Sequence, residues 1–413
     1  MQFACSRDAS LTLSIAMAIW HEPDFQRDLR RLLRRLLRHA RTNAGAEPSI
    51  LDSQSADGFI FRSGVGVGVT YSIEGEDLAL LRSLQRRLPG SSRADSGTSP
   101  SEARVLLLSA CDEAVATTIN GAVAAFITKL EAPREQWVIA EPIGVILPTR
   151  RLKVGRTTYS RDVPRSVASR QVLDQMLRGF EPPIAFATVS ARDADTANVL
   201  ARERFAESAA ILDVASSPRR LGAEVTARRR RNGGESAAFR KPRWILTDGL
   251  VDERGHLVPP FRQLSRAAAR EEDRQSDWER RMLAATRWFS RSAGGDWPAD
   301  RLASLMVALE CLFVAGRTEK GRKGALIAER FTERFRLRDK AEDEQRAWLA
   351  TLYSARNDAV HEGRQFADDL EVDRLLEATQ YVIRTMAWHL VPAHRRRGRS
   401  CRNFAEVMRC GAP

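Results

Sequence analysis

The stretch Pro298-Ala299-Asp300-Arg301-Leu302-Ala303-Ser304-Leu305-Met306-Val307-Ala308-Leu309-Glu310-Cys311-Leu312-Phe313 decides how the C-terminal part of the chain folds. Leu302, Leu305, Met306, Leu309, Leu312 and Phe313 recur at steps of three and four, the spacing of one helical face. Pro298 suits the opening turn, where its missing N–H costs nothing. Working outward, Trp278, Met282, Ala285 and Phe289 mark a helix before this one, and Ile327, Phe331 and Phe335 mark the next. Leu349, Leu352, Tyr353, Ala359 and Val360 give a fourth stripe, and Leu375, Val382, Ile383, Met386 and Leu390 a fifth. Strand signals vanish from about Gln275 onward, so these helices, joined by short loops, predict an antiparallel bundle.

The fourth stripe contains an anomaly. At 100° per residue Arg356 falls in the middle of the apolar face, Asn357 and His361 share its flank, and Asp358 points the other way. A guanidinium cannot shed its charge, so on a buried face it needs a carboxylate, a phosphate or a wet interface. Gly363 suits a helix C-cap and places His361 in the last turn, where the helix dipole favours the imidazolium. An arginine fork can brace a phosphate, and a neighbouring histidine can handle the proton of a ribose 2′-hydroxyl, with Asn357 orienting either partner. The same residues have a plainer use: Arg356 paired with Glu310 of the second helix, and His361 satisfied at a helix end. Spacing alone leaves both open.

Upstream, the chain reads as mixed α/β. Residues 24–40 interleave Leu29, Leu32, Leu33, Leu36 and Leu37 with Arg30, Arg31, Arg34, Arg35 and Arg38. This is a basic amphipathic helix whose leucines read as core, with a membrane-surface or RNA-facing role as the alternative. Residues 58–73 read as a hairpin, and Gly64, Gly66 and Gly68 alternate within its strand pattern and open no dinucleotide loop. Residues 90–100 have the composition of a flexible connection, followed by one helix near 102–130. Strands are expected at 137–147, 152–159, 184–190 and 244–251, with a turn at 252–255 and a helix capped by Asp193 running to about Val214. The run Arg228-Arg229-Arg230-Arg231-Asn232-Gly233-Gly234 reads as a basic loop or a nucleic-acid contact.

The 413 residues carry a formal charge of +13, mostly through arginine, which fits either an anionic partner or a coding bias toward arginine. Cys5, Cys111, Cys311, Cys401 and Cys410 are scattered, odd in number and without a CxxC pair, and His389 and His394 add no zinc spacing. No disulfide framework, metal site or cofactor is therefore expected, and a reducing cytoplasm fits. The apolar run 11–20 is too short to span a bilayer and reads as a core helix or strand, so no membrane partner is expected. Paired carboxylates, a nucleophile elbow and a phosphate-binding glycine loop are missing from the sequence.

The segments Arg287-Trp288-Phe289, Leu305 through Phe313, Ala328-Glu329-Arg330-Phe331 and Leu352-Tyr353-Ser354-Ala355-Arg356-Asn357-Asp358-Ala359-Val360-His361-Glu362-Gly363 together resemble the Apea-like HEPN family. That family is an α-helical bundle with an R-N-x-x-x-H signature preceded by a leucine-tyrosine pair. The resemblance implies a metal-independent endoribonuclease acting as a homodimer, in which Arg356 and His361 of two facing protomers make one composite site. It implies RNA as substrate, a 2′,3′-cyclic phosphate product, and by analogy a bacterial phage-defence, abortive-infection or toxin role with an unidentified phage or protein trigger. Asn357 matches the polar residue after the arginine, and Glu310, Tyr353 and Asp358 support the site. Glu362 departs from the glycine usual after the histidine; an extra carboxylate there is expected to raise the imidazole pKa, to repel a phosphate and so to weaken cleavage.

The expectation is thus an α+β protein. A mixed α/β domain over residues 1–262, read as a sensor or substrate-selecting region, precedes an all-α antiparallel HEPN bundle over 270–394. A basic tail, 395–413, follows, in which Arg395, Arg396 and Arg397 grip RNA or are simply solvated. A catalytically silent bundle that binds RNA or a protein is the competing reading.

Overall fold

A computed structural model describes residues 22–39, 41–42, 60–63, 69–73, 75–88, 100–142, 145–146, 150–160, 184–215, 225–231, 234–240, 244–245, 252, 257–271, 274–293, 297–314, 322–337, 339–362 and 368–396. The expectations for residues 11–20, the glycines 64, 66 and 68, the connection 90–99, the turn 253–255, Gly363, Arg397, Cys401 and Cys410 lie outside them. The described chain is α+β: mostly helices, with small sheets. It divides into two compact units, Met1–Trp137 with Val189–Arg202 and Glu271–Asp273, and Val138–Thr188 with Glu203–Arg270 and Arg274–Pro413. The second unit thus takes in segments well before Arg270.

In the first unit, α1 (Pro23–His39) carries the expected apolar stripe, and Phe25, Leu29, Leu32, Leu33 and Leu36 are all buried. Strands β1 (Arg41–Thr42), β2 (Ile60–Ser63) and β3 (Val69–Ile73) form a sheet of order β1-β3-β2, in which β2 and β3 pair antiparallel as the expected hairpin. Helix α2 (Gly75–Arg87) adds Leu78, Leu81 and Leu84 to the core and pins α1 through Arg35 to Glu76 (2.8 Å) and to Asp77. The single helix expected near 102–130 is two, α3 (Pro100–Ala116) and α4 (Ile119–Glu131). Thr118 makes the break: its backbone is extended and its hydroxyl accepts from the Gly121 N–H at 3.1 Å, an N-cap that restarts the helix. Phe126 of α4 then stacks on Phe25.

Strands β4 (Glu135–Pro142), β5 (Val145–Ile146), β6 (Arg151–Val154), β7 (Thr157–Ser160) and β8 (Ile184–Ala191) follow, and four of them make a sheet of order β4-β8-β7-β6. The strand expected over 152–159 is instead the tight hairpin β6-β7, because Gly155 takes φ +60. Helix α5 (Ala194–Ala215) starts as expected, with Asp193 Oδ1 accepting from the Thr196 N–H at 2.7 Å. The basic run near Arg228 is not a loop. Its described part lies in β9 (Val225–Arg231), which pairs antiparallel with β10 (Gly234–Arg240) so that Gly234 faces Arg231. Of the strand expected over 244–251, β11 (Trp244–Ile245) is described, parallel to β5.

The second unit is dominated by α6 (Pro259–Ala268), α7 (Asp277–Ala293), α8 (Pro298–Phe313), α9 (Lys323–Arg334), α10 (Glu342–Glu362) and α11 (Asp369–Arg396). Helix α8 is buried nearly all round and packs against α7, α9, α10 and α11, as its sequence requires of a central element. Pro298 sits in its first turn, and its orphan C-terminal carbonyls are met by arginines: Arg281 donates to Cys311 (3.2 Å) and Val314 (2.7 Å), and Arg330 to Phe313. Phe313, Phe331 and Phe335 form an edge-and-tilt aromatic cluster extended by Tyr381. Among the described residues no helix is long and apolar enough to cross a membrane.

Candidate functional site

Leu349 and Leu352 are buried, but the apolar stripe of α10 fades after them: Tyr353, Arg356, Asn357, Asp358 and Ala359 are half-buried. Arg356 therefore lies where the helix leaves the core, with its side chain 18% exposed. Glu310, in the last turn of α8, places Oε1 3.9 Å from the Arg356 Nη2, beyond hydrogen-bonding distance.

Glu310 is engaged elsewhere. Its Oε2 accepts from Lys323 Nζ at 2.9 Å, and its Oε1 accepts from the Tyr353 hydroxyl at 3.2 Å. Tyr353 is seated by Gly324: a Cβ there would come within 2.6 Å of the ring, so only glycine allows α9 to lie so close. Burial, and then the charge of Glu310, push the Tyr353 phenol above its ordinary range. The same two causes push the buried Cys311 thiol up to about 12, so it takes no part as a nucleophile.

The guanidinium that remains is only partly used. Its Nη1 donates to Asn357 Oδ1 at 3.0 Å, its Cζ lies 5.9 Å from the Tyr353 ring centroid, and its Nε is buried without a hydrogen-bond partner among the described residues. Glu310 thus meets Lys323 by a hydrogen bond and Arg356 only at longer range, which leaves the Arg356 fork with donors to offer an anion.

Of the residues singled out from sequence, Arg356, Asn357, Tyr353 and Glu310 come together. Asn357 serves the arginine directly. His361 follows on the last turn of the α10 backbone, with its side chain outside the described residues, as are those of Arg395 and Arg396 at the end of α11. Asp358 joins none of these contacts. Lys323 and Gly324 were missed by sequence reading. A lysine at the first position of a helix, where the dipole disfavours positive charge, was the available signal that it needs a partner. Among the described residues no group of three or more His, Cys, Asp and Glu side chains could hold a metal ion. Comparison with protein-family models, with curated proteins and with solved structures found no match.

Proposed function

We propose that the C-terminal helices form an HEPN-type endoribonuclease that cuts RNA without a metal, as a homodimer with a composite site, in a cytoplasmic defence or toxin-like response. Arg356 braces the scissile phosphate, Asn357 holds the guanidinium fork, and His361 handles the proton of the 2′-hydroxyl. The 2′-oxygen attacks phosphorus, the bond to the 5′-oxygen breaks, and the products are a 2′,3′-cyclic phosphate and a 5′-hydroxyl. The observation that carries this reading is the incompletely used Arg356, whose neighbouring carboxylate is already held by Lys323 and Tyr353.

Cutting in the presence of EDTA is expected to fall by about 100-fold or more in Arg356→Ala and in His361→Ala, with RNA binding kept. Parent-level cutting by both variants sinks the proposal, as does a 5′-phosphate product. One observation favours a catalytically silent bundle instead: Glu310 Oε1 still lies 3.9 Å from the guanidinium. A parent chain that binds RNA and leaves it intact supports that second reading.

A further inference from the structure

We propose that the outer face of α1, in the first compact unit, is a docking surface for the phosphate backbone of single-stranded RNA. The helix is amphipathic in a way that also suits a membrane surface, and the structure separates the two uses. Phe25, Leu29, Leu32, Leu33 and Leu36 are each no more than 2% exposed, spent in a core shared with α2, α3 and α4. Only Leu37, half-buried on the flank, is left of the apolar residues, too little for the continuous apolar face an interfacial helix inserts into a bilayer. The face opposite the core carries charge.

Arg31, Arg34 and Arg38 are exposed and lie, with Arg27, within an arc of about 60° opposite the buried stripe. The flanking arginines have structural work: Arg35 pairs with Glu76 and Asp77, and Arg30 bonds Asn120 and Gln26. Arg27 pairs with Asp24 at 2.9 Å, both exposed. Arg31, Arg34 and Arg38 have no hydrogen bond or ion pair among the described residues; Arg31 exerts only a longer-range pull on the Glu76 carboxylate. Three unspent guanidiniums therefore follow a straight line, at steps of about 4.5 and 6 Å along the axis. A row of point charges on a convex helix matches a linear polyanion better than a folded acidic protein. It offers forks for phosphate oxygens and no aromatic or amide side chain to read a base. Binding there is independent of sequence and of the cleavage chemistry proposed above.

The test uses the full chain and a fluorescent 2′-O-methyl oligouridine of about twenty nucleotides, long enough for one binding surface. This strand lacks the 2′-hydroxyl and stays intact whatever the fate of the nuclease reading. Each phosphate contact on a single strand contributes about 0.7 to the slope of log affinity against log salt, so the Arg31→Gln/Arg34→Gln/Arg38→Gln variant is expected to lose about 2 from the slope. Between roughly 50 and 200 mM salt the parent then loses roughly 20-fold more affinity than the variant. The corresponding triple lysine variant keeps the parent slope. Retention of the parent slope by the glutamine variant, or its loss in the lysine variant, overturns the proposal. So does binding to phosphatidylserine vesicles that the glutamine variant loses while RNA binding is unchanged. Melting curves matching the parent's establish that both variants fold.

Discussion

Two arginines in the C-terminal helices have opposite fates. Arg301 of α8 is 1% exposed, and α11 answers it with two carboxylates one turn apart: Asp369 at 3.1 Å and Asp373. Both carboxylates keep one side in water, so the tie avoids the full desolvation cost of a buried pair. Arg356 of α10 is 18% exposed, has one carboxylate at 3.9 Å already held by others, and keeps a buried Nε with no partner among the described residues. The first is a bolt between helices. The second is an arginine whose binding capacity the fold leaves unspent, and that difference separates a structural residue from a candidate for chemistry.

The strongest way to break the comparison is to remove each charge while keeping the bulk. Arg301→Met is expected to destabilise by about 2–3 kcal/mol, below the usual cost of orphaning a buried charge because Asp369 and Asp373 can resolvate. Arg356→Met is expected to change stability by less than about 1 kcal/mol in either direction, since the pair it breaks is long. Urea midpoints of the two variants decide it. Equal losses would make Arg356 a structural residue.

Gly324→Ala probes the seat of Tyr353. The alanine gains about 1 kcal/mol of helix propensity but places its Cβ 2.6 Å from the ring, an overlap costing about 1–3 kcal/mol. A net loss of about 1 kcal/mol, with a changed near-ultraviolet tyrosine signal, is the expected outcome. A net gain would show that the ring moves aside freely and does not hold Glu310.

The parts of this design that were legible in sequence are those written in periodicity. The α8 stripe, the Pro298 start and the core faces of α7 and α9 follow from apolar spacing, and Asp193 follows from capping chemistry. The Thr118 break was obscured because apolar residues continue across it and a single hydroxyl overrides that continuity, and the Gly155 hairpin because β-branched and aromatic residues lie on both sides of one glycine whose positive φ turns the chain. The Arg356–Glu310 neighbourhood was readable as proximity. Its character was not, because competition for one carboxylate is settled by Lys323 and Tyr353, which reach it from two other helices.

Lys323→Met sharpens the contrast by releasing Glu310 Oε2. The carboxylate is expected to close on Arg356, lowering RNA cutting several-fold while leaving the fold intact. The Tyr353 phenol supplies a readout independent of cutting. In the parent its pKa is raised by burial and by Glu310, while Arg356 and Lys323 act to lower it, so losing Lys323 moves it further up. The sign for stability follows: the folded state holds the phenolic proton more tightly, so stability is flat below the ordinary pKa near 10 and falls as pH rises through the raised value. Tyrosinate absorbance, assigned with Tyr353→Phe, checks the shift; an unmoved titration means that Lys323 does not govern this carboxylate.

The smallest expected effect concerns Cys311, adjacent to Glu310 and buried against the arginines that close α8. With its thiol pushed up to about 12, burial is the first cause and the Glu310 charge the second. At pH 8 only about one molecule in ten thousand then carries the thiolate, so alkylation mapped by mass spectrometry should leave this residue untouched until the chain unfolds. Glu310→Gln removes the second cause and keeps the first, so native labelling should stay near zero. Rapid native labelling in that variant would mean that the carboxylate, and not burial, was protecting the thiol. The end of α8 would then be open to water, and the desolvation that makes Arg356 unusual would be lost with it.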